Sequence, residues 1–460
     1  MRRRHAPGRA GRQRGLAALV VVTVLFIVTS LVAAYTSRNL VFEQRTAANQ
    51  YRSTQALEAA EAGVEWALAQ LNSGVITANC QPSTNPAQTS FRNRYLNIDG
   101  SDGRITPRVG ASGTALWPSC VSSGSGWTCD CPTDAEPNLT APTGSDVFPA
   151  FRVRFITVAP NAGGLPTRPG VVRIESNGCT RLDNGCLNFP SQAAEGEGRA
   201  TVSVLVALAS ALPSKPAAPL TVRGNLADTL ALSVSNGDLA SGGITIQASG
   251  TANPNATGRS ISSVPGAPPS RSVIAGDTTL TANANPPGLG ADLKTGLFTQ
   301  TFNAWANSYK DQAATLVVNC GDAGCSATDI RNKALLNPGR PLWLQGHLLL
   351  DSGVEIGSAS APVLLLVTGN ADAAASVTAT AAAAVRGLIY LQDRLVVNST
   401  TPGNSWTDSA GVTLQGALIS EGDLGGTGSP TFAYDAAILN RLRLASGSFV
   451  RVPGGWKDFK

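Results

Sequence analysis

Residues 16–35, LAALVVVTVLFIVTSLVAAY, are twenty consecutive residues without a charge, and this run limits what the chain can become more than any other feature does. As a helix it is long enough to cross a bilayer core of about 30 Å. Six arginines precede it (Arg2, Arg3, Arg4, Arg9, Arg12 and Arg14), and Arg38 is the first charge after it. That asymmetry places the N-terminus in the cytoplasm and the body outside. The helical pattern then continues. From Thr36 to Asn72 there is no proline and one glycine, Gly63. Leu57, Ala60, Val64, Ala67, Leu68 and Leu71 recur at near-helical spacing. Strong helix formers such as Glu58, Ala59, Glu61, Ala62 and Gln70 fill the gaps, and Asn72-Ser73-Gly74 supplies a stop. The expectation is a helix over 16–72, about 55 residues and, at 1.5 Å per residue, roughly 80 Å long.

Three readings of this segment compete. Val32-Ala33-Ala34 offers small residues suited to signal-peptide cleavage. An uncleaved signal anchor is the second reading. The third is a leader, residues 1–15, removed on the cytoplasmic side between Gly15 and Leu16. A cleaved signal peptide has no reason to be fused to a long amphipathic helix, so the segment is expected to stay.

The formal charge of +5 resides in the leading arginines, and the remainder is near neutral. No basic face or basic–aromatic interleaving appears, so no nucleic-acid partner is expected. Only 14% of residues are charged, and 48 glycines and 28 prolines favour short strands and turns over a helical bundle. Eight cysteines, Cys80, Cys120, Cys129, Cys131, Cys179, Cys186, Cys320 and Cys325, all follow the apolar run. An even count in an exported region reads as disulfides. Cys179/Cys186 and Cys320/Cys325 are close enough to staple local loops, and the pairing of the other four stays open. Metal coordination is the rival reading. Against it stand only two histidines, His5 and His347, and the tight Cys129-x-Cys131 spacing.

After the helix, residues 73–210 read as a disulfide-stapled β domain. Its first part is rich in polar turn residues, and the DGSDGR stretch with Asp99 and Asp102 reads as a polar turn rather than a calcium loop. Alternating strands follow at Phe151–Val158, Val171–Ser176 and Arg199–Leu208. An antiparallel meander of these would bury the helix's apolar stripe. Pro213 and Pro216 mark a linker. Residues 219–460 form a second, β-rich domain. There Gly224-Asn225-Leu226, Gly237-Asp238-Leu239 and Gly422-Asp423-Leu424 recur, with Gly369-Asn370-Ala371 a weaker copy. Short apolar strands flank them at Gly243–Ala248, Trp343–Leu350, Val363–Val367, Gly387–Leu391 and Val412–Ile419. This predicts a solenoid- or sandwich-like architecture. Phe298, Phe302, Trp305 and Tyr309 predict one helix with an aromatic stripe that packs in a core.

Catalytic chemistry is thinly provided. His347 lies in a strand pattern and reads as structural. No G-x-S-x-G elbow, P-loop or H-E-x-x-H occurs. Asp351, Glu355 and Asp393 fall in the β-rich region without diagnostic spacing. The chain is read as a non-enzyme with no cofactor and no metal. The alternatives are a membrane-anchored surface binding module and, more remotely, an exported carbohydrate-active enzyme.

The stretch RQRGLAALVVVTVLFIVTSLV followed by FEQRTAANQYRSTQALEAAEAGVEWALAQL resembles the N-terminal region of PilX-type minor pilins of type IV pili. The resemblance rests on the basic leader ending in Gly15, the aliphatic run Leu16–Leu31, Glu43 with Arg45 and Asn49, and Ala60-Glu61-Ala62. It covers about 60 residues. It implies an α+β fold: a long transmembrane and amphipathic helix packed on a pilin-like antiparallel sheet, ahead of the β-rich domain. It also implies cleavage by a prepilin peptidase between Gly15 and Leu16, an inner-membrane subunit with a periplasmic body, and assembly with other minor and major pilins and a tip adhesin into a surface filament. One departure stands out. Most pilins carry Glu at the fifth mature position, which here is Val20. That points to a subunit that primes or caps the filament tip.

Overall fold

The computed structural model describes residues 14–457, apart from 112, 124, 135–136, 144–147, 159–168, 183–197, 282–295, 370–373 and 393–402. The first helix, α1, runs over Arg14–Leu71 without interruption. Its sequence explains its two halves. Residues 16–54 are exposed throughout, whereas Ala56, Ala60, Val64, Ala67 and Leu71 are fully buried.

The buried stripe seats on a six-stranded antiparallel sheet, the head. Its strands are β1 (Ser119–Ser122), β2 (Trp127–Asp130), β3 (Ala150–Thr157), β4 (Val171–Cys179), β5 (Arg199–Ser210) and β6 (Gly447–Lys457), in the spatial order β6-β5-β4-β3-β1-β2. Alternation decides which face packs. Val153 and Phe155 of β3, Val172 and Ile174 of β4, and Val202, Val204 and Val206 of β5 all point into one core with α1. Close approach is set by glycine on both surfaces. A Cβ at Gly63 of α1 would stand 2.9 Å from the Phe151 ring, and one at Gly178 of β4 would stand 2.9 Å from Ala60 Cα.

The second domain is a β-solenoid, so the sandwich alternative falls away. Its strands pair in parallel in a twelve-stranded and a five-stranded sheet. The stacking order differs from the chain order. The first strand, Leu220–Val222, lies between Ile246–Ala248 on one side and Thr413–Ser420 on the other. The chain thus enters in the middle of the stack and builds outward through Val273–Ile274. It then crosses to the far end, at Leu316–Asn319, and returns coil by coil through Leu342–Gln345, Val363–Val367 and Ala384–Leu391 to Thr413–Ser420. Two of the recurring triplets, Gly224-Asn225-Leu226 and Gly422-Asp423-Leu424, mark the seam where start meets finish, while Asp238 of the third caps a short turn at Leu239–Ser241. Leu226 bridges Leu424, and the Asn225 backbone N–H donates to Asp423 Oδ1 at 2.6 Å. Gly369 forms a bridge with Gly346, while Asn370 and Ala371 lie outside the described residues.

The run Val363-Leu-Leu-Leu-Val367 is buried at every position because both of its faces are covered. Val363, Leu365 and Val367 fill the solenoid interior with Trp406 and Phe432. Leu364 and Leu366 face outward and are roofed by the crossing segment and a late helix. That roof corrects the aromatic-helix expectation. Phe298 and Phe302 lie on α3 (Gly296–Phe302), and Tyr309 lies on α4 (Ala306–Lys310). Asn303, at φ 51°, breaks the path between them. Phe298, Phe302 and Tyr309 pack on Tyr390, Trp343 and Leu388, while Trp305 is 43% exposed. The strand expected over Trp343–Leu350 is likewise two, Leu342–Gln345 and Leu348–Leu350, turned at Gly346 with φ 139°.

The boundary drawn at 219–460 differs in one respect. The solenoid ends at α5 (Ala436–Ala445), and the chain then returns to the head as β6, pairing with β5 through Phe449↔Leu208 and its neighbours. The solenoid is therefore inserted between two adjacent strands of the head sheet. The last strand is stitched to the end of α1 by Asn72, whose side-chain amide donates to Phe449 O at 2.9 Å and whose Oδ1 accepts from Phe449 N–H at 2.8 Å, both buried.

Candidate functional site: the uncovered half of the helix and its seat

The first functional feature is the uncovered stretch of α1. Leu16 is 77% exposed, and Leu19, Val20, Phe26 and Leu31 are also open. Over the segment from Leu16 the mean hydropathy of its most apolar window is 2.8, with none of that window buried, so the helix is long and apolar enough to cross a membrane. Its hydroxyls suit lipid. Thr23, Thr29, Thr36 and Thr46 each donate to the carbonyl four residues back, to Leu19, Leu25, Val32 and Phe42. Such bonds satisfy polar groups where no water does. Gly15 lies in the first turn of α1, at the start of the apolar run, and the residues before Arg14 lie outside the described part. Val20 follows on the same exposed helix and brings no carboxylate. Glu43, Arg45 and Asn49 stand on its exposed surface beyond the apolar run.

The second feature is the stapled region below the seat. Cys80 is bonded to Cys131 and Cys120 to Cys129, the latter across directly opposed positions of β1 and β2. Cys320 is bonded to Cys325 at the far end of the solenoid. Cys179 is disulfide-bonded, and Cys186 lies outside the described residues. No free cysteine and no cluster of three metal-ligating side chains occurs among the described residues.

The third feature is the junction of head and solenoid, which sequence reading missed. Its anchor is Arg92 on α2 (Phe91–Tyr95), held at 1% exposure. Its Nε donates to Leu71 O at 2.9 Å, Nη1 to Gly339 O at 3.3 Å and Nη2 to Gly447 O at 3.0 Å. One guanidinium thus ties the end of α1, the solenoid and β6 together. Burial, with the nearby charge of Arg340 second, lowers its pKa to about 9. In the stretch FRNRY no periodic or motif signal marks the arginine as internal. Only its flanking by Phe91 and Tyr95, both in the core, was there to be read.

The carboxylates considered for catalysis are not brought together. Asp351 Oδ1 accepts the Ala327 N–H, Glu355 pairs with Arg386, and Asp393 lies outside the described residues. His347 Nδ1 lies 2.7 Å from Ser376 Oγ on a neighbouring strand, a cross-strand contact. Asp99 and Asp102 hold the turn of a two-stranded hairpin, through Ser101 and Arg104 respectively.

Residues 14–65, which span the exposed half of α1 and the first part of its seat, match the family described as PilX N-terminal. The chain thus carries a type IV pilin-like N-terminal segment. No curated protein matches the chain. Among solved structures it is similar to the competence-associated pilin ComZ from Thermus thermophilus, at 13% identity over 88% of this chain and 97% of that one. The TM-score of 0.20 is too low to carry an argument from that likeness.

Proposed function

We propose that the protein is a minor pilin, a structural rather than catalytic subunit that primes or caps a type IV pilus at its tip. The observation that carries this reading is the division of α1: an exposed apolar half within the PilX-matched segment, continuous with a half packed on a folded head. An apolar helix of this kind is held by the inner membrane before assembly and by other pilins' helices after it. A prepilin peptidase acting between Gly15 and Leu16 would release it from the basic leader.

Val20 supports the terminal position. In ordinary pilins the fifth-position Glu neutralises the N-terminal ammonium of a neighbouring subunit inside an apolar bundle. An unpaired charge there costs several kcal/mol. A subunit with Val20 has nothing to offer the subunit ahead of it, and a first subunit has none ahead. The inserted solenoid points the same way, because a head enlarged by a second domain fits more easily at an end than along a close-packed shaft. Immunogold labelling with an antibody against residues 219–460 tests this. Label at filament ends is the expected result. Label confined to the cell membrane would favour an anchored surface module instead, and regular label along the shaft would refute the tip position.

A further inference from the structure

Head and solenoid do not close completely on each other. Between them lies a cleft of about 380 Å³. Three guanidinium-bearing residues line it, Arg92, Arg108 and Arg441, and no Asp or Glu does. Amide and hydroxyl groups share the wall, among them Asn93, Asn97 and Ser360, with apolar side chains between them. The three arginines come from separate parts of the chain: α2, the loop after Ile105–Pro107, and α5. Each uses part of its donor set on the protein. Arg108 Nε donates to Leu96 O at 3.1 Å and Arg441 Nη1 to Ser360 O at 3.2 Å, while Arg92 has only the three carbonyls and the Phe449 face, 5.3 Å away. None of the three has an ion-pair partner among the described residues. The charge that acts on Arg92 is that of Arg340, of the same sign.

Of the three only Arg92 is buried; a buried cation is ordinarily paired, and here no protein carboxylate among the described residues does it. We infer that the cleft binds an acidic monosaccharide unit, its anionic group on the arginines and its hydroxyls on the amide and hydroxyl side chains. Size selects a small ligand, since the volume sits near the lower end of the roughly 300–1,000 Å³ typical of small-molecule sites. The mixed wall selects a sugar acid over a bare ion, because an inorganic anion leaves the amides and apolar surface unused. The three arginines line a single cleft. A polyanion backbone is instead met by a basic stripe along an open face. A carboxylate or a phosphate on the sugar meets the guanidinium forks in the same bidentate way. The inference is independent of the pilin reading.

The test is calorimetric titration of the full-length protein in non-ionic detergent with glucuronate, glucose 6-phosphate, glucose and inorganic phosphate. Glucuronate, glucose 6-phosphate or both should bind at least tenfold more tightly than glucose and than phosphate. The pair of acids tells which anionic group the arginines prefer. The double substitution Arg108→Ala/Arg441→Ala, which leaves Arg92 and its anchoring bonds in place, should weaken the sugar acid at least tenfold without lowering the melting temperature. Asn93→Ala/Asn97→Ala, at two exposed positions, should weaken the sugar acids while leaving phosphate unchanged. The inference is overturned if neither acid binds, if glucose or phosphate matches them, or if the arginine variant binds as the wild type does.

Discussion

Replacing Gly178 by Ala tests how α1 is held on the head. The added Cβ would stand 2.9 Å from Ala60 Cα, and nearer still to Ala56 O and Ala60 N. These are backbone atoms of α1, so no side-chain rotation relieves the clash. Restoring an ordinary contact of 3.4 Å from 2.9 Å moves α1 off β4 by at least about 0.5 Å. That shift is felt along the seat, because Gly63, one turn on, is packed just as tightly on Phe151. Overpacking of this kind costs about 1–3 kcal/mol, and with backbone as the obstacle the upper end applies. At 2–4 °C per kcal/mol for a domain of this size, 3 kcal/mol lowers the melting temperature by roughly 6–12 °C. The measurement is thermal unfolding of full-length protein in detergent by circular dichroism. Gly126→Ala is the control, since a Cβ there meets nothing within 4 Å. If the two variants melt together, the close-packed seat is not what fixes α1.

Three further outcomes follow from other contacts. Asn72→Ala orphans the buried N–H and C=O of Phe449; at about 1–3 kcal/mol for each unsatisfied group, it should destabilise the head by about 2–6 kcal/mol in a denaturant titration, and a neutral result would show that β6 is held by β5 alone. The Cys80–Cys131 bond closes a 51-residue separation, worth about 4 kcal/mol in the chain-entropy model; the double Ser variant should unfold at clearly lower denaturant, and thiol labelling of denatured, unreduced wild type should find close to none, several labelled thiols being the contrary result. Gly15→Arg should leave an unprocessed, membrane-held precursor by N-terminal mass analysis, and a variant processed like wild type would refute the proposed leader.

The sequence made α1 legible because one long segment carried two signals in series, an uncharged run and then a helical stripe. The head strands were legible because alternation at Phe151–Val158 and its neighbours matches a sheet covered on one face. In the solenoid, Val363–Val367 was read as a strand correctly, but its coverage on both faces depends on a roof that arrives from 298–309 and 438–442. The triplets Gly224-Asn225-Leu226 and Gly422-Asp423-Leu424 lie about 200 residues apart, and only the structure puts them in register. Two failures have different physical causes. Trp305 falls on the helical stripe by spacing alone, yet a single left-handed residue, Asn303, redirects the chain. Arg92 and Gly447 meet through backbone carbonyls, which leave no trace in residue type.

Because β6 follows its partner β5 only after the whole solenoid, the head sheet is finished only when the solenoid has been made. Until residue 447 emerges, β5 presents a bare edge and Arg92 lacks one of its three carbonyls. β6 thus acts as a clasp that closes only behind a whole solenoid. A chain broken anywhere in the solenoid keeps its membrane helix but has an unclosed head with an unpaired strand, the kind of edge that invites aggregation and proteolysis. Only an intact copy offers a closed head to whatever it assembles with. A truncation before β6 therefore acts on the head at the end of α1, although β6 and α1 lie far apart in the chain.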